Sequence, residues 1–223
     1  MSYYKVVELF TSINGEGQRA GQIAVFVRFQ GCNLHCSFCD TTWANEKDAK
    51  YQLMSEKEIC DKILSTGIHN VTLTGGEPLL QENIKELLTL LLGQPSLSIE
   101  IETNGSISIK PFLSLQGKRP RFTLDYKLAG SCMESYMDIE NYQYLQMEDT
   151  VKFVCSDKND LERAKQIIDH YELTKKSRVY LSPAFGKIEY SDIVAFLLEH
   201  KMNDVTMQIQ MHKIIWDPNM RGV

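Results

Sequence analysis

The sequence has no excess of basic residues. Its 223 residues include 24 Lys and Arg against 29 Asp and Glu, so the formal net charge is 24 − 29 = −5. A protein that grips bulk nucleic acid is expected to present a basic face, which this balance does not favour. We therefore expect no nucleic-acid partner.

Long apolar stretches are also missing. No run approaches the roughly 20 apolar residues of a membrane-spanning helix. The first ten residues, MSYYKVVELF, do not follow the charged, apolar and small-residue order of a secretion signal. We expect a cytoplasmic protein with no membrane partner. Its 43% apolar and 24% charged residues are typical of a globular chain, which excludes a disordered one.

Repeats, low-complexity runs and long Pro/Gly/Ser linkers are absent as well, so a single domain over residues 1–223 is predicted. Short apolar runs rich in β-branched and aromatic residues alternate with helical patterns. We interpret these runs as strands buried on both faces. The predicted strands are Ile23–Gln30, Val71–Thr74, Ser98–Glu102, Phe122–Tyr126, Val151–Cys155, Val179–Ser182 and Val205–Met211.

Four helices are predicted between the strands. Ser55 and Glu58 form a capping box ahead of a stripe that contains Ile59 and Ile63, and Gln81–Leu92 is rich in leucine. The other two helices have the stripes Leu161, Ala164, Ile168 and Ile193, Phe196, Leu197. This alternation predicts an α/β fold with a mostly parallel, curved sheet. We expect a partial barrel, because complete eightfold barrels run to roughly 250 residues.

Six predicted strands run, at their C-terminal ends, into polar or glycine-rich segments. These segments are Gly31–Asp40 (GCNLHCSFCD), Gly75–Pro78 (GGEP), Thr103–Gly105 (TNG), Asp125–Lys127 (DYK), Ser182–Pro183 and Gln210–Lys213 (QMHK). In parallel α/β folds, ligands bind at the carboxyl ends of the strands. The pattern therefore predicts one active site at one end of a barrel.

Three of the six cysteines fall within eight positions, with the spacing C-x3-C-x2-C: Cys32, Cys36 and Cys39. In a reducing cytosol such clustering favours a metal or redox site over disulfides. A structural zinc normally has four protein ligands, whereas three thiolates suit a four-iron cluster with one open iron. Zinc and a redox-active thiol group remain alternatives. Three isolated cysteines are interpreted as packing residues: Cys60, Cys132 and Cys155.

The cysteine loop after one strand and GGEP after the next resemble the radical S-adenosylmethionine (SAM) superfamily. The resemblance implies a [4Fe-4S] cluster on the three cysteines, with SAM chelated by the open iron. One electron passed to the sulfonium would release methionine and a 5′-deoxyadenosyl radical. Phe38 is implied near the adenine, and Gly75 and Gly76 near the methionine end, where a Cβ would collide. Glu77 is implied near the amino group of SAM.

Segments along nearly the whole chain resemble the 7-carboxy-7-deazaguanine synthase family. They are Phe10–Gln18 (FTSINGEGQ), Ala24–Asp40, Cys39–Thr41, Glu102–Gly105 (ETNG) and Gln208–Val223. The resemblance implies that 6-carboxy-5,6,7,8-tetrahydropterin is rearranged into 7-carboxy-7-deazaguanine with loss of ammonia, on the route to queuosine and other 7-deazapurines. It also implies a Mg²⁺ ion, regenerated SAM, a homodimer and an electron donor such as flavodoxin.

The resemblance further implies roles for individual residues. Substrate-binding positions are Ile13, Asn14, Gly15, Glu16, Arg28, Thr74, Gln210 and His212. SAM-binding positions in the last strands are Asp125, Tyr126, Lys127, Ser182 and Pro183. Thr41 is implied as the Mg²⁺ ligand, since a hydroxyl oxygen suits a hard cation.

Simpler interpretations stand beside four of these assignments. Arg28 could face solvent, Glu16 could be a solvated loop carboxylate, Thr41 could cap a helix or turn, and His212 could be a core histidine in a strand. Two other functions also remain open. One is a glycyl-radical enzyme activase, which shares the cysteine spacing but acts on a protein. The other is a non-enzymatic metal-binding module.

Overall fold

The computed structural model describes residues 2–223 and contains one sheet of nine strands. In chain order the strands are β1 (Tyr3–Ile13), β2 (Ile23–Phe29), β3 (Gln52–Ser55), β4 (Asn70–Gly75), β5 (Ser98–Thr103), β6 (Arg121–Tyr126), β7 (Thr150–Cys155), β8 (Arg178–Pro183) and β9 (Val205–Met207). Their order across the sheet is β3-β1-β2-β4-β5-β6-β7-β8-β9. The predicted α/β class is therefore confirmed.

Most of the sheet is parallel. Strands β2 and β4 to β9 run in one direction, and β1 is antiparallel to both β2 and β3. The sequence analysis misses β1 and β3. Strand β3 has only four residues, two of them exposed, and β1 mixes apolar and polar side chains along eleven residues. Neither matches the short apolar runs by which the other strands are found.

Six helices connect or follow the strands: α1 (Thr42–Asn45), α2 (Glu56–Ser65), α3 (Ile84–Leu92), α4 (Lys158–Tyr171), α5 (Tyr190–Glu199) and α6 (His212–Ile215). The predicted capping box is confirmed, because Glu58 N donates to Ser55 Oγ at 3.3 Å and Ser55 N donates to Glu58 Oε2 at 2.8 Å. The helix predicted over Gln81–Leu92 begins only at Ile84.

The prediction of a strand over Val205–Met211 is wrong beyond Met207, where β9 ends. His212 is the first residue of α6, so its interpretation as a strand residue is also wrong. None of the helices within residues 2–223 is long and apolar enough to cross a membrane.

Strands β4 to β8 are largely buried on both faces, as the sequence predicts, but only one of the two faces is apolar. In β7 (TVKFVC), Val151, Phe153 and Cys155 lie in the apolar core, while Lys152 projects from the opposite face. The same alternation runs through β4, β5 and β6, where Thr74, Glu102 and Asp125 share the face of Lys152. This polar inner face lines the candidate site.

Candidate active site

Glu16 and Lys152 form the central ion pair of the inner face. Lys152 Nζ lies 3.0 Å from Glu16 Oε2, and the two side chains are only 12% and 8% exposed. Burial raises the pKa of Glu16, but the charge of Lys152, together with the hydrogen bonds that Glu16 accepts, outweighs it, so the pKa stays below its usual value. Glu16 is therefore held ionised, which excludes the solvated-loop interpretation.

Asp125 extends this ion pair towards the end of β6. Lys127 Nζ donates to Asp125 Oδ2 at 2.7 Å, and Lys152 Nζ lies 3.7 Å from the same oxygen. Burial lowers the pKa of Lys127, but Asp125 and the neighbouring thiol of Cys36 outweigh it and raise the pKa. Two carboxylates and two ammonium groups thus alternate inside the barrel.

Glu102 adds a third carboxyl group to the same face. Thr74 Oγ1 donates to Glu102 Oε2 at 3.1 Å. Burial raises the pKa of Glu102, Lys152 lowers it, and the nearby Glu100 and Glu16 raise it further. The predicted Thr74 therefore lies in the site, beside a carboxyl group that the site assignment did not include.

Asn14 lies at the start of the β1–β2 loop and is 3% exposed. Its Oδ1 accepts a hydrogen bond from Thr72 Oγ1 at 2.9 Å, and its backbone bonds both ways across the loop to Gly21 and Gln22. The loop then continues over the inner face, where Arg19 donates to Ser98. These contacts fix the position from which Glu16 enters the site.

The C-terminal segment meets the same loop. Gln210 Nε2 donates to Glu16 Oε2 at 3.3 Å, and the Gln208 side chain bonds both N and O of Gly17. The imidazole of His212 lies where a Cβ on Gly15 would be. Burial lowers the pKa of His212 despite the opposing effects of Glu16 and Asp40. The predicted 13–16 and 210–212 segments are thus brought together.

Arg28 lies on the inner face of β2, which excludes the solvent-facing interpretation. Its Nε donates to Glu8 Oε2 at 3.1 Å, and both side chains are 19% exposed. Its guanidinium carbon is 6.0 Å from the ring centres of Phe10 and Trp43. Arg221 lies over the same Trp43 ring at 4.0 Å. The C-terminal segment thereby contacts α1, directly after the cysteine loop.

Thr41 precedes α1 but does not cap it with its side chain. Its Oγ1 instead donates to Asp40 Oδ1 at 2.9 Å, and Asp40 Oδ2 lies 2.8 Å from Lys213 Nζ. Burial would raise the pKa of Asp40, but Lys213, Thr41 and Arg28 hold it well below its usual value. The helix-cap interpretation of Thr41 finds no support in these contacts.

The cysteine loop is anchored from two sides. Asn104 Nδ2 donates to Cys32 Sγ at 3.5 Å and to Asn33 Oδ1 at 3.0 Å. Ser37 donates through N and Oγ to the carbonyls of Ser131 and Gly130, at 3.1 and 2.6 Å. The loop position therefore depends on the segments that follow β5 and β6.

Gly75 and Gly76 lie so close to neighbouring protein atoms that neither position has room for a side chain. Gly75 has φ +138, and a Cβ there would overlap the backbone of Phe29. A Cβ on Gly76 would overlap Gly31 O and Asn45 Oδ1. The end of β4 thus packs directly against the start of the cysteine loop. This close packing is a different reason for the glycines from the approach of SAM that the sequence suggests.

Glu77 is 0% exposed, and its carboxylate is taken up by internal hydrogen bonds. It accepts from Leu79 N at 3.0 Å, from Thr103 Oγ1 at 2.9 Å and from Asn104 N at 2.7 Å. Burial raises its pKa to about 7 against the effect of these bonds. The side chain thus joins the ends of β4 and β5.

Three other predicted side chains point away from the inner face. Tyr126 packs against Phe153 in the core, with ring centres 5.4 Å apart, and its hydroxyl donates to Glu134. Pro183 pairs with Cys155, whose side chain is in the core. Ile13 pairs with Ile23 and is five residues from Glu8, so it lies on the opposite face. These side chains do not line the site.

The three cysteines of the loop are free thiols of intermediate exposure. Burial raises the pKa of Cys36 and Cys39, and neighbouring thiols of the loop raise both further. Within residues 2–223, no group of three or more His, Cys, Asp or Glu side chains converges on a position for one metal ion. In a four-iron cluster each thiolate binds a separate iron, so the three sulfurs need not converge on one point.

Several buried polar atoms around the inner face have no hydrogen-bond partner among the described residues. They are Asn14 Nδ2, Glu16 Oε1, Asn45 Oδ1, Asp125 Oδ1 and Ser182 Oγ. Buried polar groups are normally paired, because an unpaired one costs about 1–3 kcal/mol. One donor and three carboxylate or amide acceptors, together with a hydroxyl, fit a polar ligand such as SAM or a pterin.

Comparison with known proteins places the chain among relatives of the same length. The family model of the radical SAM superfamily matches residues 26–124. The chain is 57% identical over 220 residues to the 7-carboxy-7-deazaguanine synthase of Clostridium acetobutylicum, covering 99% of each. The chain belongs to the 7-carboxy-7-deazaguanine synthase family. A relative of that name from Methanospirillum hungatei is 33% identical, covering 96% of this chain and 86% of the relative.

The fold comparison agrees with this family membership. The crystal structure of QueE from Escherichia coli matches with a TM-score of 0.71, covering 94% of this chain and 95% of that one, at 23% identity. The resemblance stated from the sequence is thus confirmed for the family and for the partial-barrel fold. Radical SAM membership implies a [4Fe-4S] cluster and SAM, and the activase alternative is not favoured.

Five residues of the site were missed by sequence reasoning: Glu8, Glu102, Asn104, Lys152 and Lys213. Lys152 and Glu102 carried a usable signal, since each is a charged residue at an alternate position of an otherwise apolar strand. The same pattern is the one that marks Arg28 in β2. Lys213 and Glu8 carried no comparable signal, because their pairing depends on how distant segments meet.

Proposed function

We propose that this enzyme converts 6-carboxy-5,6,7,8-tetrahydropterin into 7-carboxy-7-deazaguanine with loss of ammonia, in 7-deazapurine (queuosine) biosynthesis. The carrying observation is Glu16, a buried carboxylate with one oxygen held by Lys152 and Gln210 and the other without a partner in residues 2–223. An ionised carboxylate accepts from two neighbouring N–H groups, which the amide and amino edge of a pterin offers.

The residues around Glu16 complete a pterin-shaped polar site. Asn14 Nδ2 supplies a free donor beside the ring. Arg28 lowers the pKa of Asp40, and Asp40 raises the pKa of His212, so both side chains are within electrostatic range of Asp40. Arginine and histidine are suited to the substrate carboxylate. These groups would fix the ring in one orientation, which is how a site converts binding into reactivity.

The three cysteines would hold the [4Fe-4S] cluster, which with SAM supplies the radical that removes a substrate hydrogen. The substrate differs from the product by one ammonia, so the overall reaction needs no oxidant, and SAM can be regenerated. Glu16, Arg28 and His212 would hold the substrate with its C6 hydrogen accessible to that chemistry. Asp125 and Lys127 lie near Cys36 of the cysteine loop, on the side where SAM would bind, and Ser182 lies on the same face of the sheet in β8.

The proposal includes a Mg²⁺ ion at Thr41, whose hydroxyl faces Asp40 instead of capping α1. It also includes a single domain over residues 1–223, a homodimer, an electron donor such as flavodoxin and a cytoplasmic location. The family resemblance supports each of these. The continuous nine-stranded sheet additionally supports the single domain.

The test is an anaerobic assay of the cluster-reconstituted protein with SAM, Mg²⁺, dithionite and 6-carboxytetrahydropterin. Mass spectrometry should find 7-carboxy-7-deazaguanine with the wild type and none with Cys36→Ala. Cys155→Ala is the matched control, since that thiol is 0% exposed in the core and should affect packing alone. No product from the wild type would reject the function, and loss of iron from Cys155→Ala would reject the ligand assignment.

A further inference from the structure

Lys152 is a buried cation that is not among the groups proposed to contact the substrate or SAM. It extends from the inner face of β7, with 12% of its side chain exposed. Its ammonium group contacts carboxylates from two separate segments of chain, Glu16 of the β1–β2 loop at 3.0 Å and Asp125 of β6 at 3.7 Å. A buried charge is retained where it is paired, and here it has two partners.

Glu16 and Asp125 each contact Lys152 through one carboxylate oxygen and leave the other oxygen unpaired among the described residues. The contacts reach Glu16 Oε2 and Asp125 Oδ2, and the other known donors, Gln210 and Lys127, reach the same two oxygens. The second oxygen of each, Glu16 Oε1 and Asp125 Oδ1, is buried and has no hydrogen-bond partner within residues 2–223. One oxygen of each carboxylate is thus fixed, and the other is left for a ligand.

Lys152 also changes the pKa values of the carboxyl groups that surround it. Three acidic side chains face it, Glu16, Asp125 and Glu102, and it lowers the pKa of both glutamates against the raising effect of burial. Burial lowers the pKa of Lys152 itself, but these three carboxyl groups outweigh it and keep the lysine charged. Without this cation, like charges in a low-dielectric interior would repel one another and move apart.

We propose that Lys152 is a positioning residue that ties the pterin-binding Glu16 to the SAM-side Asp125 and aims the free oxygen of each at its ligand. The inference rests on the proposed function. Glu16 Oε1 would accept from the pterin N–H groups, and Asp125 Oδ1 from a hydroxyl or ammonium group of SAM. Lys152 touches neither ligand in this account and acts through the two carboxylates.

The test measures binding, separately from turnover. The oxidised, unreactive analogue pterin-6-carboxylate is titrated calorimetrically into cluster-loaded protein with SAM present and no reductant. Lys152→Met should weaken binding about tenfold or more, the loss expected for about 1.4 kcal/mol. Lys152→Arg, which keeps the charge, should recover most of the affinity. Lys57→Met is the matched control, because Lys57 pairs with Asp61 on the surface at 72% exposure.

A double-mutant cycle separates positioning from a general structural effect. If Lys152 acts through Glu16, Lys152→Met should change pterin binding less than about twofold in a Glu16→Gln background. The same tenfold loss in that background would overturn the proposal, as would wild-type affinity in Lys152→Met alone. If Lys152→Met does not fold, Lys152→Gln is measured in its place, with iron content and circular dichroism as checks on folding.

SAM binding supplies a second readout through Asp125. The electron paramagnetic resonance spectrum of the reduced cluster changes when SAM binds, so SAM can be titrated directly. Lys152→Met should raise the SAM concentration needed for half of the change about threefold or more, as expected for roughly 0.7 kcal/mol. An unchanged SAM titration would show that Lys152 does not position Asp125 for SAM binding, and would overturn that part of the proposal. Failure of the wild type to form product would count against the proposed function alone, since these measurements need no turnover.

Discussion

The imidazole of His212 lies directly against the backbone of Gly15, in the space that a side chain there would fill. The contact is reinforced by Met211 N, which donates to Gly15 O at 3.2 Å. The loop after β1 and the segment after β9 are thereby joined across the sheet, although 197 positions separate Gly15 from His212 (212 − 15). The proposed substrate site depends on this junction.

Gly15→Ala should therefore displace His212. We expect the KM for 6-carboxytetrahydropterin to rise about tenfold, a loss of roughly 1.4 kcal/mol. Iron content should stay at the wild-type level, because the cysteine loop does not contact Gly15. Steady-state kinetics checks the KM. In a His212→Ala background the added methyl group has room, so a further tenfold rise there would contradict this explanation.

Gly76→Ala should disrupt the cysteine loop. The new Cβ would overlap Gly31 O and Asn45 Oδ1, next to Cys32. Forced overpacking typically costs 1–3 kcal/mol or more. We expect less iron per chain after reconstitution and a lower unfolding temperature, measured by iron analysis and calorimetry.

Gly67→Ala is the control for that variant. Gly67 has φ +69 but nothing within 4 Å of an added Cβ, so only backbone strain of about 1 kcal/mol is expected. Its iron content should match the wild type. Equal iron loss in both variants would show that overlap at the cysteine loop is not the cause.

Glu77→Gln should change how stability depends on pH. The pKa of Glu77 is raised to about 7 by burial, so between pH 4.5 and 7 the folded protein binds this proton more tightly than the unfolded chain. Stability from this group therefore falls as pH rises through that window, by roughly 3 kcal/mol in total. Glutamine cannot titrate, so the variant lacks this dependence on pH. Its amide NH₂ group would also face the N–H donors that now bond the Glu77 carboxyl group.

Thermal unfolding at pH 5, 6, 7 and 8 tests whether the stability contributed by Glu77 falls as the pH rises. Wild type should exceed Glu77→Gln in stability most at pH 5, and the difference should shrink towards pH 8. A difference that grows with pH would mean that the folded state holds Glu77 ionised. Glu82→Gln, at an exposed position, is the control for the loss of a carboxylate.

The sequence alone was enough to predict those features that depend on residues close together in the chain. The capping box of Ser55 and Glu58 depends on residues three apart, and β4 to β8 are short runs whose burial follows from their composition. The cysteine spacing and GGEP likewise identify the superfamily without any tertiary information. These are features in which neighbouring residues carry the whole signal.

The features that could not be predicted from the sequence depend on the direction in which each side chain points and on contacts between residues that are distant in the chain. Tyr126 was grouped with Asp125 and Lys127, yet alternation along β6 places its side chain in the core. Lys152 and Glu16 are 136 positions apart, and only closure of the curved sheet brings them together. A resemblance assigns segments, but the register of each strand decides which side chains reach the site.

The most direct test of the central account is a product count under limiting SAM. Anaerobic enzyme, reductant, Mg²⁺ and excess 6-carboxytetrahydropterin are supplied with less SAM than substrate, and 7-carboxy-7-deazaguanine and SAM are both quantified. The account predicts several molecules of product for each SAM supplied, with SAM largely recovered. One molecule of product or fewer for each SAM consumed, or no deazaguanine at all, would contradict it.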